Sequence, residues 1–212
     1  MIDCYRTVAG YGCREIEIQR SRFIAYVTRA EREEEALAFI AKLRKEHWDA
    51  THNCVAYIIG ERDELQKADD DGEPSGTAGR PMLEVLKKQA LKDTLVVVTR
   101  YFGGIKLGAG GLVRAYGQAV VEGIKESGLI ERRLHTQLAV RCDYSLLGTL
   151  ENQLGLHGYS ISQREFDDAV NLIVLAPSGE EEKVESKLLD WTAARVELSR
   201  LGQQYVDTVL AT

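Results

Sequence analysis

Apolar and polar residues alternate in CREIEIQ (13–19) and in RFIAYVT (22–28), and a period of two with a short turn between predicts paired β-strands. Over 31–46 the period changes. Ala36, Phe39, Ile40 and Leu43 recur at i, i+3, i+4 and i+7, which predicts a helix with one apolar stripe turned inward. NCVAYIIG (53–60) reads as a buried strand, and the polar stretch after it, to about residue 80, shows no period. Compact domains rarely carry a structureless connection longer than ~12–15 residues unless it is functional or disordered. Pro81 suits the first turn of a helix running to about Gln89, since that position has no amide partner to lose. TLVVVTRYF (94–102) is a continuous apolar run ending in Arg100 and two aromatics and predicts a central strand. A helix is expected from about 111 to 127, ended by Gly128, with Val113, Tyr116, Val120 and Ile124 on its inner side. Gly117 and Gly123 each weaken that helix by ~1 kcal/mol relative to Ala, so close packing is the expected reason for them.

The rest of the chain has a simpler order. HTQLAVRCDY (135–144) predicts a strand and SLLGTLENQLG (145–155) a helix capped by Ser145. YSISQREF and AVNLIVLA form a hairpin around Asp167 and Asp168. Ser178 and Glu181 have capping-box spacing before a helix carrying Val184, Leu188 and Trp191, and RVELSRLGQQYV closes with a strand. The order β-α-β-β-α-β is the ferredoxin-like split pattern. The expected class is therefore α+β in two domains, residues 1–133 and 134–212.

Charge supports that division. The 212 residues carry a formal net charge of −6, yet residues 1–134 hold 21 basic and 21 acidic side chains, so the deficit lies entirely beyond them. No global field favours nucleic acid. MIDCYRTVAG has no basic region leading into an apolar run, and no stretch approaches the ~18 apolar residues of a membrane span, so a cytoplasmic protein without membrane contact is expected. Cys4, Cys13, Cys54 and Cys142 are scattered without a CxxC pair, which favours free thiols over disulfides or a zinc ribbon.

Two stretches concentrate the candidate chemistry. DDDGEPSGTAGRPM (69–82) combines acids with turn-forming residues, and Asp70, Asp71, Gly72, Glu73, Pro74, Ser75, Gly76, Thr77, Gly79 and Arg80 are candidate binding residues. The spacing of the acids does not match an EF-hand, and an acidic run is more often a solvated surface than a metal site, so no metal or cofactor is expected. Ser75 or Thr77 as a nucleophile would need a base and an orienting group. His52 is the single tempting base, and a lone His at a strand entrance more often serves structure, so no catalytic residue is assigned.

In GGIKLGAGGLVRAY (103–116), glycines precede a helix whose free N–H groups and positive dipole end suit an anion. Gly103, Gly104, Lys106, Gly108, Gly110, Gly111, Arg114 and Tyr116 join the candidates, with Arg100, Tyr101 and Phe102 just before them. Residues 77–116 carry a local net charge of +5 inside a neutral domain. Neither the P-loop nor the Rossmann glycine spacing is met. An anion site and a purely structural role for these glycines both stay open.

RPMLEVL, VVVTRYFGGIKLGAGGLVRAY and the preceding DDGEPSGTAG together resemble the Impact/YigZ family, and the likeness runs over the whole chain. The resemblance implies an N-terminal domain like domain two of ribosomal protein S5 and, in bacterial members, a ferredoxin-like C-terminal domain. Eukaryotic Impact proteins modulate translation under starvation by competing for the activator of an initiation-factor kinase. They carry a further N-terminal domain, so that partner is not carried over. The expectation is a non-catalytic, translation-linked binding protein contacting RNA, the ribosome or a protein of the translation machinery through the two glycine-rich loops. The alternative is a small-molecule or nucleotide-binding enzyme using the same loops, either a hydrolase or a phosphotransferase like the GHMP kinases. Oligomeric state is not readable from the sequence.

Overall fold

The computed structural model describes residues 1–210. The first elements in chain order are β1 (Cys4–Val8), β2 (Gly12–Ile18), β3 (Ser21–Arg29), α1 (Glu33–Glu46), β4 (His52–Ile59) and β5 (Leu65–Asp69). Then come α2 (Gly79–Lys88), β6 (Thr94–Tyr101), α3 (Gly108–Ser127) and β7 (Leu129–Cys142). The last are α4 (Tyr144–Leu156), β8 (Ser160–Phe166), β9 (Val170–Pro177), α5 (Glu181–Thr192) and β10 (Val196–Val209). They form two compact units. One comprises residues 5–132 and 208–210; the other comprises Arg133–Asp207 with Met1–Cys4, four residues expected in the N-terminal domain.

The larger unit is built on the sheet β2-β3-β6-β4-β5, with β6 at its centre and antiparallel to both neighbours. A central strand covered on both faces has no reason to alternate, which is why Leu95, Val96, Val97 and Val98 follow one another without a polar residue. Val96 and Val98 face a core completed by α2 and α3. Leu95 and Val97 face a second core under α1, where Ala36, Ile40 and Leu43 supply the expected stripe. In the smaller unit the strand order β10-β7-β9-β8 is the ferredoxin-like one, with α4 and α5 packing Leu146, Leu150, Leu154, Val184 and Leu188 onto the sheet.

Several local expectations are corrected. The apparently structureless stretch after residue 60 contains β5, an edge strand whose residues are almost all solvent-exposed, so no apolar period marks it. Helix α3 starts at Gly108, three residues early, and Val113 points outward at 40% exposure; Leu112, Ala115, Tyr116, Ala119 and Val120 form the buried side. Ser145 lies inside α4 and Asp143 takes the flanking position. The Ser178–Glu181 box does not form. Helix α5 starts at Glu181, whose carboxylate accepts a hydrogen bond from the Thr136 hydroxyl instead.

Gly123 explains how closely α3 lies on the sheet. A Cβ there would sit 2.8 Å from Val27 Cγ2 and 2.9 Å from Ala25 Cβ. At Gly117 the nearest such atom is Val85 Cγ2 at 3.9 Å, an ordinary contact. The two helical glycines therefore respond oppositely to alanine. Gly123→Ala is expected to destabilise the protein by about 1–3 kcal/mol through overpacking, while Gly117→Ala stabilises it by up to ~1 kcal/mol through helix propensity. Urea denaturation of the two variants measures both signs.

Candidate functional site

Strand register sets the first part of the site. Phe23 of β3 and His52 of β4 both pair with Arg100 of β6, so the three side chains lie in one row across the sheet. Alternation sends the next residue, Tyr101, to the opposite face. There its hydroxyl donates to Asp49 at 3.2 Å and meets His47 Nδ1 at 2.9 Å, and the Arg22 guanidinium lies over its ring. Tyr101, a sequence candidate, is thus separated from Arg100 by the sheet itself.

Above the row sits the loop joining β5 to α2. Its acids are committed to its own shape. Asp70 accepts hydrogen bonds from the backbone N–H of Gly76, Ala78 and Gly79, at 2.7, 3.0 and 2.8 Å, satisfying amides at the start of α2. Asp71 accepts from the Asn53 N–H at 2.6 Å and pairs with Arg44. The Asp71 N–H, and after it Arg44, hold the Asp69 carboxyl below its ordinary range despite some burial. Thr77 closes a turn by donating from both N–H and hydroxyl to the Pro74 carbonyl. Gly72 lies against the His52 ring, and Ser75 is exposed at the loop tip.

This loop delivers Glu73 to Arg100. The Nη1–Oε1 distance is 2.6 Å, and the residues are 7% and 5% exposed. Tyr116 of α3 donates to the same carboxylate oxygen at 2.8 Å, and the Cys54 thiol lies 3.3 Å from the Tyr116 oxygen. Burial, followed by the neighbouring Cys54 and Glu73, drives the Tyr116 hydroxyl strongly upward in pKa. Burial likewise pushes the Cys54 thiol up, so both groups stay neutral donors and Cys54 is no nucleophile at neutral pH. Arg100 Nη2 lies 3.4 Å from Ser21 Oγ, while the guanidinium is over the rings of Phe23 and Phe102 at 5.3 and 5.5 Å. Arg100 Nε is buried and has no hydrogen-bond partner among the described residues.

The glycine turn completes the enclosure. The Gly103 N–H donates to Ser21 Oγ at 3.2 Å, and a Cβ at Gly103 would run into the Arg20 carbonyl, so only glycine lets the chain pass. Past Gly104 and Lys106 the chain enters α3 at Gly108. That helix start has no side-chain cap and no acid in its first turn, and Gly108 and Gly110 are exposed there with Gly111 behind them. A cavity of about 380 Å³ results, bounded by Thr51, His52, Glu73, Pro74, Arg100, Phe102, Lys106, Leu107, Gly108, Ala109 and Leu112. The acidic loop and the glycine turn thus meet at one cavity.

Two basic candidates do not line it, although Arg114 Nη1 comes within 3.7 Å of where a Cβ on Gly110 would sit. Arg80 borders a separate groove with Pro81, Glu84 and Val113, and Arg114 is exposed on α3. The sequence reading passed over Ser21, Phe23, Thr51, Cys54 and Leu107. Strand pairing alone brings Ser21 and Phe23 to the site, whereas the position of Cys54 two residues after His52 on one strand was a usable signal. His52 donates from Nδ1 to the Asp71 carbonyl at 2.8 Å, and its Nε2 lies 3.8 Å from Glu73 Oε2. Among the described residues no three His, Cys, Asp or Glu side chains are placed to share a metal ion. No helix of the described residues is long and apolar enough to cross a membrane.

A five-stranded unit covered on both faces, with its cavity at a helix start, followed by a ferredoxin-like unit, defines a two-domain α+β protein of the ribosomal-protein-S5-domain-2-like and ferredoxin-like kind. The Impact N-terminal domain matches residues 19–124, and a domain of unknown function, DUF1949, matches 140–195. The IMPACT family member YvyE of Bacillus subtilis is 51% identical over 191 residues, covering 90% of this chain and 86% of that protein. The IMPACT family member YigZ of Escherichia coli is 37% identical over 184 residues, covering 86% of this chain and 90% of that one. A crystal structure of a hypothetical protein superposes with a TM-score of 0.61 at 34% identity, over 93% of this chain and 97% of that one. The chain belongs to the IMPACT family.

Removing one partner of the buried pair leaves the other charged and unpaired. Glu73→Ala is expected to cost about 3–5 kcal/mol. Glu73→Gln combined with Arg100→Met should cost less than the sum of the two single changes, by a coupling of about 1–3 kcal/mol. Equilibrium denaturation of the four proteins provides the cycle.

Proposed function

We propose that this protein is a translation-linked binding protein whose cavity takes single-stranded RNA. The observation that carries the reading is the convergence of Lys106, His52, the exposed ring of Phe102 and the uncapped start of α3 on one cavity. Single-stranded RNA is held by cationic grooves together with aromatic faces on which unstacked bases lie. The cavity offers both within one nucleotide's reach. Trp48, 82% exposed, stands in the turn before β4. Its turn is tied to the end of β6 by the hydrogen bonds from Tyr101 to Asp49 and from the Phe102 N–H to Thr51.

Family membership supports a role in translation, in line with the activity that the resemblance to eukaryotic members implies. The phosphotransfer alternative draws on the acidic loop for cation ligands. Asp70 and Asp71 instead hold amides of their own loop and neighbouring strand, and Glu73 is closed by Arg100 and Tyr116. The geometry therefore favours binding over catalysis.

Arg100 is a weak choice for a salt-sensitive phosphate contact, because Glu73 already neutralises it. Lys106 is the better one. Anisotropy titrations with a labelled single-stranded RNA over a range of salt should show that Lys106→Gln flattens the slope of log K against log salt by about 0.7. Phe102→Ala should cost about 1–3 kcal/mol of affinity through lost stacking. Arg80→Gln, in the separate groove, should leave binding unchanged. Lack of RNA binding at low salt, together with absence from ribosomal fractions, would overturn the proposal.

A further inference from the structure

We infer that the cavity seats a nucleoside carrying a terminal phosphate monoester, the chemistry of a phosphorylated RNA end, and so reads strand ends over strand interiors. The inference rests on the RNA reading above and goes beyond it by naming the group recognised.

The charge balance of the cavity is the first argument. Glu73 and Arg100 cancel each other in its floor. What faces the space in excess is the Lys106 ammonium and the N–H groups opening a twenty-residue helix, with no acid in its first turn. A helix start contributes the equivalent of about half a positive charge. An internal phosphodiester carries one negative charge, whereas a phosphate monoester carries about −1.5 to −2 at pH 7 and three acceptor oxygens. The second group matches the excess better.

Arg100 supplies an independent argument. It lines the cavity and is only 5% exposed, yet its Nε–H has no acceptor among the described residues. A buried donor on a charged group is costly to leave unmade, and this one is sealed from solvent, so an oxygen from outside the chain reaches it only as Arg100 shifts toward the cavity. Meanwhile Pro74, Leu107, Leu112 and the Phe102 ring give the same cavity an apolar side suited to a base. At about 380 Å³ it lies at the small end of ligand sites, the scale of one nucleotide and far below that of a duplex.

The test uses one six-nucleotide RNA in three forms, with a 5′-phosphate, with a 3′-phosphate, and with hydroxyls at both ends. Adenosine monophosphate serves as a separate probe, and binding is read by anisotropy or calorimetry on the full chain. At least tenfold tighter binding of one phosphorylated form than of the hydroxyl form is expected, together with measurable binding of the mononucleotide. Equal affinity for all three RNAs would overturn the inference and leave the RNA proposal standing. Binding of the mononucleotide without any RNA would uphold the phosphomonoester seat and overturn the RNA proposal. No binding of any probe would overturn both. Gly110→Asp puts a carboxylate in the first turn of α3, where it favours the helix and repels an anion. It should abolish the end preference with the melting temperature unchanged or raised, and Lys106→Gln provides a second variant that leaves the backbone untouched. Retention of the preference in both variants would place the seat elsewhere and overturn the assignment.

Discussion

A carboxylate and a guanidinium taken out of water each lose several kcal/mol of hydration, which their attraction recovers only when further hydrogen bonds and good geometry assist. Glu73 and Arg100 are such a pair, and much of the larger unit is arranged around them. One oxygen of Glu73 takes both the Arg100 Nη1 and the Tyr116 hydroxyl. The guanidinium gains the Phe23 and Phe102 ring faces as well as the pair itself. Three segments distant in sequence must therefore be in place together: the β3–β6–β4 row, the loop before α2, and the third turn of α3.

That requirement explains why a loop so rich in carboxylates is not a loose acidic surface. Asp70 gathers three amides, Thr77 bonds twice to the Pro74 carbonyl, and Asp71 is fixed by Asn53 and Arg44. Each contact removes freedom from the residues on either side of Glu73. The loop then presents one buried carboxylate at a defined point, and its other acids do not compete for the same ligand space. Acids that look alike in sequence have divided roles, and the division follows from which of them point back into the loop's own backbone.

The elements with strong periods were legible in the chain. The β-α-β-β-α-β order, the central apolar strand and the α1 stripe follow from side-chain patterning alone, and so does the suspicion that Gly123 permits close packing. The edge strand β5 was not legible, because a strand whose side chains nearly all face water carries no apolar alternation. The site was legible in part. Glycine turns and acids marked the two loops, but their meeting depends on Phe23, Arg100 and His52 standing in register, which only strand pairing decides. Tyr101 shows the opposite failure: the period of two within a strand was enough to separate it from Arg100.

Helix α3 links these parts mechanically. Its inner side is pressed onto β3 at Gly123, its Tyr116 hydroxyl is held by Glu73, and its first turn forms one wall of the cavity. A helix rises 1.5 Å per residue and resists bending, so the position of the amides at Gly108 follows from contacts eight and fifteen residues further along. Glycine at 108, 110 and 111 leaves those amides open to a ligand, and glycine at 123 sets how near the whole rod approaches the sheet. The buried pair is thus part of the site's alignment as well as of its floor. A change at Glu73 takes the acceptor from the Tyr116 hydroxyl and uncovers the Arg100 charge in the cavity floor together.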